Sequence, residues 1–181
     1  MSHQPRHSGY VDVSVFLIPL FNEWLAIGLL PQHIVIFGDE SSAIPSAREN
    51  TVPSTWASNF CRRIRVSCDS FAPTKPSRGF VGAVVDNIVY NTTSPDLRDQ
   101  VDRWIEVETR ARRSGIGPER SVLFVLFFGT NDVWQFSAFD SRQDGISATD
   151  ATLDSMFDQL GRVARHWADP PQVLVPTAID V

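Results

Sequence analysis

The sequence lacks several features on which broad classes of function depend. Its 16 lysines and arginines are outnumbered by 21 aspartates and glutamates, and the formal net charge of -5 gives no general attraction for nucleic acid. Neither the glycine-rich dinucleotide fingerprint nor the lysine-containing phosphate loop occurs, which argues against a nucleotide-binding domain. No internal repeat or low-complexity segment is present. We therefore expect no nucleic-acid partner and no cofactor.

Cysteine is scarce, with only Cys61 and Cys68 in the chain. Neither belongs to a C-x-x-C pair or has a histidine nearby, so a metal site is not expected. In an exported protein the two could bridge the end of a helix to the next strand, whereas in the cytosol they would be two small buried thiols. Their separation along the chain does not decide, because a disulfide also requires a suitable Cα distance.

No uninterrupted apolar run has the length of a membrane span. Residues 11–30 are mostly apolar, but Asp12, Asn22 and Glu23 interrupt them and no small-residue cleavage site follows. A charged side chain at the centre of a bilayer costs about 2.5 to 3.5 kcal/mol even on lenient scales. Membrane insertion is therefore not expected, although the shorter run at residues 13–21 has the length of a signal-peptide core.

The remaining composition is that of one folded domain. The chain has 181 residues, of which 43% are hydrophobic and 20% charged, enough for a single domain with a substantial core. We assign residues 1–31 to an N-terminal apolar extension, a possible signal or anchor, and residues 32–181 to the domain. The glycosylation sequon at Asn91 is consistent with export, but secreted and cytoplasmic locations both stay open.

Apolar runs and helical periodicities alternate along the chain. The predicted strands cover residues 33–38, a short segment near 65–67, and residues 121–128 and 172–178. The predicted helices carry the apolar stripe of residues 52–64, the segment 97–113 with a Ser94-Pro95 start, and residues 147–167 with a capping box at Ser147. Residues 82–87 could begin either a helix or a strand. Residues 129–147 are predicted to form a long functional loop with exposed aromatic side chains, namely Trp134, Phe136 and Phe139.

Strands that alternate with amphipathic helices predict an α/β fold with a mostly parallel sheet, in three layers α/β/α. In such a sheet the ligand crevice lies beyond the carboxyl ends of the strands. Two polar motifs follow predicted strands at that edge, Gly38-Asp39-Glu40 and Gly129-Thr130-Asn131-Asp132. We therefore expect both motifs to face one crevice.

These motifs, with the glycine block at residues 80–87, resemble conserved blocks of the SGNH or GDSL hydrolase family. The sequence of the glycine block is most similar to that of fungal acylhydrolases related to carbohydrate esterases. The resemblance as a whole covers roughly residues 33–180. It implies a flavodoxin-like sheet and the hydrolysis of a small-molecule or carbohydrate ester. It also implies that the Gly82 backbone N–H and the Asn131 side chain hold the oxyanion of the tetrahedral intermediate.

The chain departs from the family pattern at the nucleophile. Glu40 stands where the family has serine, and a carboxylate with a reference pKa of about 4.3 is a poor attacker of an ester. Ser41 is the available substitute. However, one step along the backbone moves a side chain by about 3.8 Å and turns it in another direction.

The chain also departs from the family at the general base. No Asp-x-x-His block occurs, and the histidines are His3, His7, His33 and His166. We expect His33 at the end of the sheet away from the crevice and His166 on the last helix beside Trp167, so neither is expected to act as the base. Because the chain stops at Val181, the domain is expected to be C-terminally incomplete and to lack its last elements.

The sequence therefore predicts a weak or inactive ester hydrolase of SGNH type. The alternative is a non-catalytic domain that binds a sugar or acyl ligand in the same crevice. The predicted catalytic residues are Ser41, Gly82 and Asn131. The predicted motif positions beside them are Gly38, Asp39, Glu40, Gly129 and Asp132. Four acids, Asp39, Glu40, Asp86 and Asp132, could instead bind a hard cation or act as an acid and base pair. Turn-forming and helix-capping roles are favoured for them, because their spacing matches no defined ligand loop.

Overall fold

The computed structural model describes residues 31–44, 55–73, 82–114, 121–167 and 171–176. Residues 1–30, which hold nearly all of the predicted N-terminal extension, lie outside the described residues. The strands are β1 (His33–Gly38), β2 (Ser67–Ser70), β3 (Val122–Phe127) and β4 (Gln172–Leu174). The helices are α1 (Trp56–Ile64), α2 (Asn87–Tyr90), α3 (Leu97–Arg113), α4 (Thr130–Phe136) and α5 (Arg142–His166). Among the described helices, none is both long and apolar enough to cross a bilayer.

The described strands form one parallel sheet in the order β2-β1-β3-β4, which confirms the predicted α/β fold. The two central strands pair from His33 opposite Val122 to Gly38 opposite Phe127. Both are nearly continuous apolar runs, as expected for parallel strands that are covered on both faces. From β1 the chain goes to β2 on one side and later to β3 on the other, which places a topological switch point between β1 and β3.

Helices cover both faces of this sheet. On one face, Phe124 packs edge-to-face against Trp104 of α3, with ring centroids 5.1 Å apart, and α5 adds its own apolar residues to the same core. On the other face, the Trp56 ring of α1 lies 4.9 Å from that of Phe127. Phe124 and Phe127 point to opposite faces because strand side chains alternate. The described elements therefore form three layers.

Helix α3 begins two residues later than the predicted Ser94-Pro95 start. Its N-cap is Asp96, whose side chain accepts the backbone N–H of Asp99, while the Asp99 side chain accepts the backbone N–H of Asp96. This reciprocal capping box satisfies two backbone donors and outweighs the preference of proline for the first helical position. The predicted end at Arg113 is confirmed.

The predicted loop at residues 129–147 is wrong, because most of this segment is helical. Helix α4 occupies its first part, and α5 starts at Arg142 rather than at the predicted capping box. The N-cap of α5 is Ser141, whose hydroxyl oxygen accepts the backbone N–H of Asp144 at 3.1 Å. Ser147 therefore lies inside the helix. The polar first turns of α5, with a glycine at position 145, carry no apolar stripe from which the sequence could have predicted them.

The edge strand β2 lies slightly later than predicted, and a disulfide ties it to the preceding helix. Arg65 ends α1 in the left-handed conformation, with φ of 57°. Cys61 of α1 and Cys68 of β2 are bonded, with their Cα atoms 6.2 Å apart. The sequence alone did not decide whether this disulfide forms. The other edge strand, β4, is shorter than predicted and ends at Leu174. Residues 82–86 form neither helix nor strand and lead into α2.

Candidate functional site

The loops that leave β1 and β3 start side by side at the carboxyl edge of the sheet. The backbone N–H of Asp39 donates to the carbonyl of Phe127 at 3.3 Å, so the two chain segments remain in contact where the strands end. After β1 the chain makes a single 3-10 turn at Glu40–Ser42, and after β3 it enters α4 at Thr130. Gly129 opens α4 with φ of 124°, a conformation that side-chain-bearing residues rarely adopt.

Glu40 is the residue of the first motif that meets the glycine block. Its Oε1 accepts the backbone N–H of Ala83 at 3.2 Å. A Cβ added to Gly82 would overlap both the Oε2 of Glu40 and the Nδ2 of Asn131, so these two side chains converge on one point. Only glycine leaves room for both. The structure thus brings together Glu40, Gly82 and Asn131, with Glu40 at the position where the resemblance implies a serine nucleophile.

Asn131, in the first turn of α4, also contacts the glycine block. Its Nδ2 donates to the carbonyl of Ala83 at 3.1 Å, and the backbone N–H of Ala83 donates to Glu40. The donors that could stabilise a developing oxyanion are therefore already engaged or next to a carboxylate. A substrate oxyanion at this point would meet the negative charge of Glu40.

Asp39 and Ser41 form a local cap within the turn. One carboxylate oxygen of the buried Asp39 accepts both the backbone N–H of Ser41, at 2.9 Å, and the Ser41 hydroxyl. Burial raises the pKa of Asp39, the charge of Glu40 adds to this, and the hydrogen bonds from Ser41 oppose it. Ser41 itself is exposed. Its hydroxyl is thus paired with a carboxyl group that belongs to the turn.

Asp132 is a buried carboxyl group beneath the same crevice. Only 2% of the residue is exposed, and its Oδ1 accepts the backbone N–H of Val85 at 3.0 Å. Its Oδ2 has no hydrogen-bond partner within the part of the chain that the structure describes. Burial raises the pKa of Asp132 to about 6, the charge of Asp39 contributes in the same direction, and backbone hydrogen bonds partly oppose it. Asp132 holds the glycine block against α4.

Gln100 of α3 is a site residue that the sequence did not reveal. Its Oε1 accepts the backbone N–H of Gly38 at 2.9 Å, and its Nε2 donates to the Gly38 carbonyl at 2.9 Å. A weak signal was present, because Gln100 lies in the apolar stripe of α3 between Leu97 and Trp104. Buried polar residues at such positions usually have specific hydrogen-bond partners.

The two described histidines lie away from this site. His33 begins β1 at the amino edge of the sheet, and its Nε2 lies 3.1 Å from the carboxylate of Asp69. His166 ends α5, just before the chain enters β4 at the same edge, and packs edge-to-face on Trp104 at 5.3 Å. Burial and the charge of Arg112 lower the pKa of His166. His3 and His7 are outside the described residues. The described residues therefore place no histidine beside Ser41.

The aromatic side chains predicted to be exposed behave differently from one another. Phe136 and Phe139 pack against Tyr90, with ring centroids 5.6 and 6.5 Å away. Trp134 is 71% exposed. Because Trp134 follows Asn131 by three helical residues, the two share one side of α4. Trp134 is therefore the one of the three that is free to contact a ligand.

The acidic side chains near the crevice cap helices and turns or accept backbone N–H groups of neighbouring segments. Asp86 caps α2 by accepting the backbone N–H of Ile88 at 2.8 Å, as Asp39 caps the turn after β1. No group of three or more histidine, cysteine, aspartate or glutamate side chains suited to a metal ion occurs among the described residues. The geometry thus gives these carboxylates structural partners.

A scan against models of protein families finds none that matches this chain, and a search of curated proteins finds no match either. Inference about function therefore depends on the geometry of the site.

Proposed function

We propose that this chain is a non-catalytic domain of the SGNH hydrolase type that binds a carbohydrate ester in the crevice between β1 and β3. The strand order β2-β1-β3-β4 supports this proposal, because a flavodoxin-like sheet binds its ligands at the β1/β3 switch point. The meeting of the three motif blocks around Gly82 at that point also supports it.

The observation that carries the proposal is the position of the Glu40 carboxylate. It accepts the N–H of Ala83 and lies against Asn131, where an esterase would require free donors. Ester hydrolysis through a serine passes through a tetrahedral oxyanion, and donors aimed at that oxyanion supply much of the catalysis. A fixed negative charge at the same point opposes that intermediate instead of stabilising it.

The surroundings of Ser41 support the same conclusion. A serine nucleophile requires a base that removes its proton, usually a histidine held by a third group. The Ser41 hydroxyl donates to Asp39, which is the cap of its own turn, and neither described histidine lies nearby. Ser41 therefore lacks the partner that would activate it.

A neutral, hydroxyl-rich ligand suits the crevice best. The Glu40 carboxylate repels anions but accepts hydrogen bonds from hydroxyl groups, and the exposed ring of Trp134 offers a flat apolar surface on the same side of α4 as Asn131. Ligand sites combine apolar and aromatic surface with a few placed polar groups. Acetylated oligosaccharides have both kinds of surface.

Isothermal titration calorimetry with acetylated xylo-oligosaccharides tests the binding role. We expect heat of binding with the wild type and about tenfold weaker binding for Trp134→Ala, a loss of about 1.4 kcal/mol. Val133→Ala is the matched control, because Val133 is also exposed on α4 but lies on the other side from Asn131. Absence of binding to the wild type, or equal weakening by both substitutions, contradicts this role.

Ester hydrolysis by Ser41 is the second candidate, and the exposed position of its hydroxyl on a buried carboxyl group favours it. The assay is hydrolysis of p-nitrophenyl acetate by the wild type, Ser41→Ala, Asn131→Ala and Glu40→Ser. A non-catalytic domain gives the uncatalysed rate in all four proteins. A wild-type rate that drops in both Ser41→Ala and Asn131→Ala would instead establish the second candidate.

A further inference from the structure

Strand β1 extends past the point where its neighbour β2 ends. The last paired residues are Ile36 and Ser70, and the backbone N–H of Phe71 donates to the Ile36 carbonyl at 2.9 Å. Alternate residues of a strand direct their backbone groups to the same side. The N–H and carbonyl of Gly38 therefore point to the side of β2, where β2 has already ended.

The side chain of Gln100 takes the place of the missing strand. Its carboxamide accepts from the Gly38 N–H and donates to the Gly38 carbonyl, each at 2.9 Å, and also donates to the Pro95 carbonyl at 3.3 Å. A carboxamide carries the same donor and acceptor as a peptide group, and these partners fix which atom is oxygen and which is nitrogen. Gln100 is only 1% exposed, so water cannot substitute for it.

Gly38 is fixed on its other sides as well. An added Cβ would lie 2.7 Å from the Phe127 carbonyl and 2.8 Å from the Cβ of Ser42. Glu40 follows Gly38 by two residues. Asp39, which lies between them, is held to β3 by its backbone N–H. The position of Gly38 therefore sets where the Glu40 side chain leaves the backbone.

We propose that Gln100 is a positioning residue that holds the Glu40 carboxylate against the Ala83 N–H. It acts through Gly38, because its side-chain carboxamide bonds to the Gly38 and Pro95 backbone while Glu40 bonds to Ala83. The biological meaning of this role rests on the proposed function, while its test requires no ligand. Failure of sugar binding and failure of this inference can therefore be told apart.

The test is the pH titration of the Ala83 amide in a 15N-labelled protein. Because the Ala83 N–H donates to Glu40, its proton shift follows ionisation of that carboxylate, and Glu40→Gln identifies the contribution. We expect Gln100→Leu to reduce this titration shift by at least half. The matched control is Gln159→Leu, a substitution of another buried glutamine, which is bound to Arg162 on α5. It should leave the Ala83 titration unchanged.

A merely structural role for Gln100 would lower the stability of Gln100→Leu and leave the Ala83 titration intact. That result in folded Gln100→Leu overturns the inference. Gln100→Met keeps the length of the side chain but loses both the donor and the acceptor, and an unchanged titration there also overturns the inference. Should neither variant fold, hydrogen exchange of the wild-type Gly38 amide decides. Exchange as slow as that of Val125 in β3 supports the Gly38 hydrogen bond to Gln100 on which the inference depends, and exchange as fast as that of exposed amides excludes that bond and the inference with it.

Discussion

Replacing Asp132 with asparagine should change how the stability of this fold depends on pH. The carboxyl group is 2% exposed, and its Oδ2 has no hydrogen-bond partner among the described residues. Its other oxygen accepts the Val85 N–H, a bond that asparagine can keep through its own carbonyl oxygen. The substitution therefore removes the titrating group while it keeps the hydrogen bond that joins α4 to the glycine block.

The magnitude follows from the pKa of Asp132. Burial raises it from 3.8 to about 6, so the folded protein binds this proton more tightly than the unfolded chain does. The resulting stabilisation is fully present below about pH 4 and is lost as the pH rises through about 6. At 1.36 kcal/mol for each pKa unit, the free energy of unfolding contributed by this group falls by about 3 kcal/mol across that range.

Other carboxyl groups and His166 also contribute to the pH profile of the wild type. Burial raises the pKa of Asp39 and of Asp96, and these contributions likewise fall as the pH rises. The hydrogen bond to His33 lowers the pKa of Asp69, and burial lowers that of His166, so these two contributions rise with pH. Because Asp132→Asn retains these groups, the difference between the two proteins isolates the titration of position 132, apart from its coupling to Asp39.

Urea unfolding at pH 4, 5, 6 and 7 measures this difference. The stability of Asp132→Asn relative to wild type should increase by about 2 kcal/mol between pH 4 and pH 7, most of the full titration. Asp140→Asn, at an exposed position, is the control and should follow the wild type throughout. A constant difference between Asp132→Asn and wild type would refute the assignment of a raised pKa to this buried group.

Two further predictions concern stability and are measured by urea unfolding. Gly82→Ala should lose about 1 to 3 kcal/mol of stability because its methyl group overlaps the carboxylate and carboxamide that meet there. Gly145→Ala should gain up to about 1 kcal/mol, because its methyl group would lie in open space beside the backbone of its own helix. A gain at both positions would contradict the packing at the crevice. Cys61→Ser with Cys68→Ser should cost about 2 to 3 kcal/mol, as expected for a short closed loop, and reductant should lower the wild type equally. Insensitivity of the wild type to reductant would mean that the bridge is not formed.

The parts of the fold that the sequence predicted are those with an unambiguous apolar pattern. The runs that became β1 and β3 are buried on both faces, and α3 repeats its apolar residues at helical spacing. The error at residues 129–147 arose where that signal is absent. There α4 has only seven residues, too few to repeat an apolar stripe, and the first turns of α5 are mostly polar. Two serines, Ser141 and Ser147, could each have capped α5, and the structure uses Ser141.

The site was predictable to the extent that it depends on strand ends. Gly38 ends β1, and Asp39 and Asn131 lie shortly after β1 and β3, two strands that the sequence identified; parallel strands bring such positions to one edge. Gln100 was not predictable in this way, because it lies 62 residues from Gly38 and its role depends on where β2 stops. Nor could the sequence show that Glu40, rather than Ser41, turns toward Gly82.

In the proposed function, Glu40 does more than stand at the position of a serine nucleophile. Ala83 is buried, and a buried N–H without a partner costs about 1 to 3 kcal/mol. Here the Glu40 carboxylate accepts this bond within the folded chain. The same contact thus stabilises the glycine block and, in the proposed function, occupies the position that an oxyanion would take. Removal of the Glu40 side chain should accordingly lower stability while it frees the donors, so stability and anion binding at this crevice oppose each other.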